Sequence, residues 1–149
     1  MIQLEIDGHI VEVEEGTTIL KAAEKLDIKI PTLCYHPLLE PYAACRICTV
    51  EVIAEGVSEL VTSCNTQVQE GMVVQTQSEK SLNARRINLE LLMAQAPAAR
   101  VVQELAAELG VEKTRLTIEK PEEKCILCGL CVRTCEQVVG VSAISFVNR

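Results

Sequence analysis

The sequence contains no tryptophan, two tyrosines and one phenylalanine among its 149 residues. Stacking of nucleobases on aromatic side chains therefore has no platform. Basic character is also scarce: 14 Lys and Arg stand against 21 Asp and Glu, for a formal charge of −7. No basic cluster exceeds isolated pairs such as Arg85-Arg86, so a phosphate-binding surface is not indicated and nucleic acid is excluded as a partner. No apolar run approaches the roughly 18 residues needed to cross a bilayer. Residues 1 to 20, MIQLEIDGHIVEVEEGTTIL, are acidic and hold neither a basic leader nor an apolar export core, which predicts a soluble, cytoplasmic protein. The seven glycines never form GxGxxG or GxxxxGK, so neither a dinucleotide fold nor a phosphate loop is expected. Two histidines in expected loops offer no nucleophile–base arrangement. Substrate chemistry is thus expected on another polypeptide, this chain not being an enzyme by itself.

Against these absences stand eight cysteines in two groups: Cys34, Cys45, Cys48 and Cys64, then Cys125, Cys128, Cys131 and Cys135. The intervals are C-x10-C-x2-C-x15-C and C-x2-C-x2-C-x3-C, and no cysteine is left over. Disulfides would fit an exported chain, and this one lacks an export signal. Structural zinc favours two CxxC pairs, whereas the second group places three thiols at three-residue steps and a fourth four residues on. Both intervals suit iron-sulfur clusters, since four thiolates can hold a [2Fe-2S] or a [4Fe-4S] core. Each loaded site would add about −2, bringing the net charge to about −11 and favouring a basic partner protein.

Residues 2–6 and 10–14 alternate apolar and polar around Asp7-Gly8-His9, a β-hairpin pattern. Thr17 or Thr18 can cap a helix over TILKAAEKL. Prolines 31, 37 and 41 mark a loop through Ala44 that carries Cys34 and leads to Cys45. CTVEVIAEG reads as a strand, residues 59–62 as its return toward Cys64, and MVVQTQ at 72–77 as a last strand. Residues 79–110 turn helical, with Ile87, Leu91 and Leu92 as the apolar stripe and Gly110 as the closing cap. A charged connector, 111–124, leads to the second cysteine group. The expected fold is α+β: a β-grasp ferredoxin-like head over 1–78, connecting helices over 79–110, and a small cluster-binding segment over 111–149.

The residues CYHPLLEPYAACRICTVEV and SCNTQVQEGMVV resemble the [2Fe-2S] domain that opens the large iron-sulfur subunit of respiratory complex I, iron-only hydrogenases and NAD-dependent formate dehydrogenases. The resemblance makes Cys34, Cys45, Cys48 and Cys64 the [2Fe-2S] ligands. CILCGLCVRTCEQVVGVSAISFVNR is similar to the ferredoxin-type [4Fe-4S] segment of those families, which points to Cys125, Cys128, Cys131 and Cys135. In paired motifs of this type the fourth cysteine ligates the other cluster. Cys135 could therefore close the same cluster, lie beside one, or belong to a pair completed beyond Arg149; Glu136 replaces the proline usual after it. Relatives hold a further [4Fe-4S] cluster with one histidine and three cysteines, but the matching stretch here, LLMAQAPAARVVQELAAELG, has neither residue.

The resemblance implies a relay subunit of a soluble NAD(P)-linked oxidoreductase, passing single electrons between a complex I-like NADH/FMN flavoprotein and a further redox subunit. The assembly would be a hetero-oligomer such as an electron-bifurcating transhydrogenase, a hydrogenase or a formate dehydrogenase. A redox-responsive interaction protein is the alternative from another class. His36, two residues after Cys34, lacks the second histidine that a Rieske centre needs. Arg46 and Arg133, inside the two motifs, suit either sulfur contacts or plain surface placement.

Overall fold

The computed structural model of the chain describes residues 1–54 and 56–147. Strands β1 (Ile2–Ile6) and β2 (His9–Val13) pair antiparallel, with Leu4 opposite Val11 and Ile6 opposite His9. The two-residue connection needs left-handed backbone at both positions, and Asp7 and Gly8 supply it with φ of 48° and 82°. Helix α1 (Ile19–Glu24) follows, its first turn capped by Thr18, whose Oγ1 accepts from the Lys21 N–H at 3.4 Å. Its buried face, Ile19, Leu20, Ala22 and Ala23, covers the inward residues Leu4, Ile6, Val11 and Val13 of the hairpin.

Three further strands complete the sheet: β3 (Thr49–Ala54), β4 (Val57–Thr62) and β5 (Val73–Gln75). The strand order is β2-β1-β5-β3-β4, with β1 and β5 parallel and the other neighbours antiparallel. This mixed sheet with its covering helix is the ferredoxin-like arrangement expected of the first eighty residues. The Asp7 carboxylate fastens the hairpin to the end of β5, accepting from the Thr76 N–H at 2.7 Å and the Thr76 hydroxyl at 2.5 Å.

Helix α2 (Glu79–Gln95) is capped by Ser78 and packs on β3 and on α3 (Arg100–Glu108). Gly110, at φ 66°, ends the helical stretch in the left-handed conformation that a glycine takes without strain. The buried residues of α2 are Ser81, Arg85, Leu89 and Leu92, recurring at four, four and three positions. This corrects the stripe read from the sequence: Leu92 points inward, whereas Ile87 and Leu91 are each 52% exposed. Periodicity alone favoured the more continuous apolar set, and the helix instead turns the face bearing an arginine toward the sheet.

The interior divides in two. One core joins the sheet and α1 and includes Cys48 and Cys64. The second joins α2, α3 and the cysteine loop, and includes Cys34, Cys45, Ile47, Leu89 and Val102. Residues beyond α3 are pinned to α2 by the Arg115–Glu90 ion pair at 2.8 Å and by the Thr114 hydroxyl donating to the Glu90 carbonyl at 2.9 Å. The chain then forms α4 (Leu130–Arg133) and a π-helical turn over Thr134–Val139. Among the described residues no helix is long and apolar enough to cross a membrane.

Leu89, fully buried, and Leu91, half exposed, test the corrected helix face. Leu89→Ala is expected to cost about 2–5 kcal/mol in chemical denaturation, and Leu91→Ala to change stability by less than about 0.5 kcal/mol.

Candidate metal centre

The four N-terminal cysteines converge because two unlike pieces of chain meet. Cys34 and Cys45 lie on the irregular segment between α1 and β3, Cys48 stands one residue before β3, and Cys64 two residues after β4. The hairpin brings the last two together, its closing bond running from the Ser63 N–H to the Cys48 carbonyl at 3.1 Å. The loop must turn sharply to present Cys45, and Ala43 and Arg46 on either side have φ of 52° and 54°. All four cysteines are buried, three of them to 1% exposure.

The thiols interact in two pairs, Cys34 with Cys45 and Cys48 with Cys64, and charge on one pair is felt at the other. Contact with Cys45 holds the Cys34 thiol down at about 5, helped by the backbone N–H groups of Cys45 and Ala44. Contact with Cys64 lowers Cys48 to about 7. Their partners move up, Cys45 through Cys34 and Cys64 through Cys48, with burial adding to each. Without metal, each pair thus shares one proton, since two adjacent thiolates cannot both ionise away from water.

Two buried arginines flank this group. Arg85, 1% exposed, donates from Nε to the Thr49 carbonyl at 2.9 Å and feels the charge of Cys48 and of Asp7. Arg133, 7% exposed, donates from Nη2 to the Cys34 carbonyl at 2.5 Å and from Nη1 to the Glu40 carbonyl at 2.7 Å. Arg85 Nη2, Arg133 Nε and Ser63 Oγ are buried without a hydrogen-bond partner. The Ser63 hydroxyl faces Cys48 and lowers its thiol. Unpartnered donors gathered around four paired thiols fit an anionic core with acceptor sulfurs. Among the described residues no three His, Cys, Asp or Glu side chains are close enough to hold a single ion. A two-by-two arrangement instead suits two irons, two thiolates to each.

Arg85 escaped the sequence reading, although it lies four residues from both Ser81 and Leu89 on the buried face of α2. Arg46 and His36 are exposed; the His36 ring accepts from the Leu38 N–H at 3.2 Å, a local turn contact. His9 is exposed at the start of β2.

In the second group Cys125 and Cys131 are exposed, and Cys128 and Cys135 half-buried. Leu127 and Gly129 adopt φ of 50° and 74°, so the backbone curls between Cys125 and Cys131. The Cys135 sulfur accepts from the Ala143 N–H at 3.2 Å, and its carbonyl from the N–H groups of Val141 and Ser142 at 3.2 and 3.4 Å. The structure thus seats Cys135 in the turn that follows it.

Comparison with known proteins bears on the first group. The family described as "2Fe-2S iron-sulfur cluster binding domain" matches residues 1–79. The chain belongs to this [2Fe-2S]-binding family. The whole chain is 39% identical to the NADPH-Fe(3+) oxidoreductase subunit alpha of Geobacter sulfurreducens, over 172 positions that cover 20% of that protein. It is 38% identical to the NADP-reducing hydrogenase subunit HndD of Solidesulfovibrio fructosivorans and 34% identical to an NADH-quinone oxidoreductase subunit of Streptomyces coelicolor, covering 30% and 20% of them. The chain therefore spans less than a third of the length of these curated relatives. In three dimensions it resembles a chain of an NAD+-reducing [NiFe]-hydrogenase solved in the H2-reduced state. That match has a TM-score of 0.83 and 29% identity, over 99% of this chain and 71% of the other.

The thiol pairing predicts a pH signature for this [2Fe-2S]-binding domain when metal-free. Ultraviolet thiolate absorbance should rise near pH 5 for Cys34 and again near pH 7 for Cys48, and Cys34→Ser should remove the first step. Between about pH 5 and the ordinary thiol value of 9.0 the unfolded chain holds a proton that folded Cys34 has lost. Its contribution to stability therefore rises with pH across that window and is lost as pH falls through 5. Above the ordinary range Cys45 and Cys64 act oppositely, since unfolding then releases their protons.

Proposed function

We propose that this chain is an electron-relay unit of an NAD(P)-linked oxidoreductase complex, passing single electrons between a flavoprotein and a further redox subunit. Cys34 and Cys45 would ligate one iron of a [2Fe-2S] cluster, and Cys48 and Cys64 the other. The observation that carries the reading is the convergence of four buried, pairwise thiols beside two buried arginines. The relatives' names, all of oxidoreductase or hydrogenase subunits, support the NAD(P) linkage. A complex I-like NADH/FMN flavoprotein is the partner we favour, in a cytoplasmic hetero-oligomer, and electron bifurcation is the finer form of the proposal.

When bound, the [2Fe-2S] core supplies reversible uptake of one electron. The chain's own groups set how readily that happens. The N–H groups of Ala44 and Cys45 and the Arg85 guanidinium favour added negative charge, while Ile47 and Leu89 keep water away and oppose it. The protein performs no bond chemistry on a substrate in this scheme.

We assign Cys125, Cys128 and Cys131 to a [4Fe-4S] cluster, with Cys135 as its fourth ligand. The spacing C-x2-C-x2-C-x3-C supports this reading, together with the left-handed backbone at Leu127 and Gly129 and the Ala143 N–H that already donates to the Cys135 sulfur. On this reading 1–78 is the [2Fe-2S] head, 79–110 the helical cover and 111–149 the [4Fe-4S] segment.

Anaerobic iron and acid-labile sulfide analysis, with low-temperature EPR of the reduced protein, tests both assignments. About six irons per chain and two signals of different relaxation rate are expected. Cys48→Ser should abolish the slowly relaxing signal and leave about four irons. A slowly relaxing signal that survives Cys48→Ser would refute the first ligand set.

A further inference from the structure

Arg133 belongs to the second cysteine motif by sequence and to the first by contact. It ends α4, two residues after Cys131 and two before Cys135. Its guanidinium nevertheless crosses to the N-terminal loop, where it grips the carbonyls of Cys34 and Glu40 and lies 5.0 Å from the centre of the Tyr42 ring. An arginine keeps its charge at any ordinary pH, so burying it to 7% exposure is costly unless the surroundings return the lost hydration. Two carbonyls and a ring face return part of it, and Nε remains unpartnered.

Two neighbours extend the same seam. The Gln137 Oε1 accepts from the Glu40 N–H at 2.9 Å, so the segment after Arg133 holds the same loop residue. Gly129 lies under Tyr42 and Phe146, whose ring atoms would stand 3.4 Å from an added Cβ. Its φ of 74° makes any larger residue strained there. The 34–42 loop is thus clamped from one side by Gly129 and Arg133 of the second motif and by Gln137 just after it.

We propose that Arg133 is a positioning residue that locks the Cys34 loop onto the second cysteine motif, so that order in one sulfur site fixes the environment of the other. The proposal rests on the relay reading for its electrical consequence: a buried cation beside the Cys34 loop favours the reduced form of the first cluster. Its mechanical consequence is independent of that reading. The grip on the Cys34 carbonyl sets the orientation of the peptide that carries the ligand, and the Tyr42 contact sets the path of the loop between Cys34 and Cys45.

The test uses the full chain with Arg133→Gln, which removes the charge, and Arg133→Lys, which keeps the charge but not the two-carbonyl grip. Arg100→Gln, on a side chain 90% exposed, serves as the charge control. Amide hydrogen exchange at Leu39 and Glu40 is expected to speed up by about tenfold or more in both Arg133 variants, with the β-sheet amides unchanged. In the iron-loaded protein, Arg133→Gln should lower the midpoint potential of the slowly relaxing EPR signal, Arg133→Lys should lower it less, and Arg100→Gln not at all. Wild-type exchange at Leu39 and Glu40 in Arg133→Gln would overturn the proposal. If the wild-type chain takes up no iron, the relay reading fails, while the exchange comparison on the metal-free chain still decides whether Arg133 couples the two segments.

Discussion

Four thiols held out of water, with too few partners except one another, are the constraint around which this chain is arranged. Paired thiols away from solvent carry only part of their possible negative charge, and neighbouring cations ease that charge. The fold places two such cations in its interior. Arg85 reaches the group from α2, and Arg133 from the end of α4, each leaving one side-chain nitrogen unpartnered. Neither arginine would be stable where it lies beside a purely apolar pocket, and the thiols would bind metal less readily without them.

The position of the thiols also explains why the helices pack as they do. Cys48 and Cys64 belong to the core under the sheet, and Cys34 and Cys45 to the core under α2 and α3. A [2Fe-2S] core bridging the four would therefore link both hydrophobic interiors through covalent bonds to metal. Residues 79–110, which read as connectors in the sequence, roof the cysteine loop through Leu89, Leu92 and Val102.

Much of this was legible in the sequence, for identifiable reasons. Alternation in residues 2–6, the Asp7-Gly8 turn and the Thr18 cap are local signals, and local geometry realised them at Ile2–Ile6, His9–Val13 and Ile19–Glu24. Cysteine spacing carried the site because few other chemistries use such intervals. What stayed hidden depends on contacts distant in sequence. The inward turn of Arg85 requires Thr49 beneath it, and that of Arg133 requires carbonyls some 93 and 99 residues away. The apolar stripe misled because Ile87 and Leu91 are placed by what covers α2, not by their own hydrophobicity. An arginine at helical spacing from Leu89 was the available clue, and composition rules place arginine outside.

The central claim is that the first four cysteines join two cores through a shared metal site. Calorimetric melting of the metal-free chain against the anaerobically reconstituted chain tests it most directly. The account predicts one cooperative transition spanning both cores once iron and sulfide are bound, at a temperature well above any transition of the metal-free chain. Two separate transitions in the loaded protein, with only the sheet or only the helical core moved by metal, would contradict it.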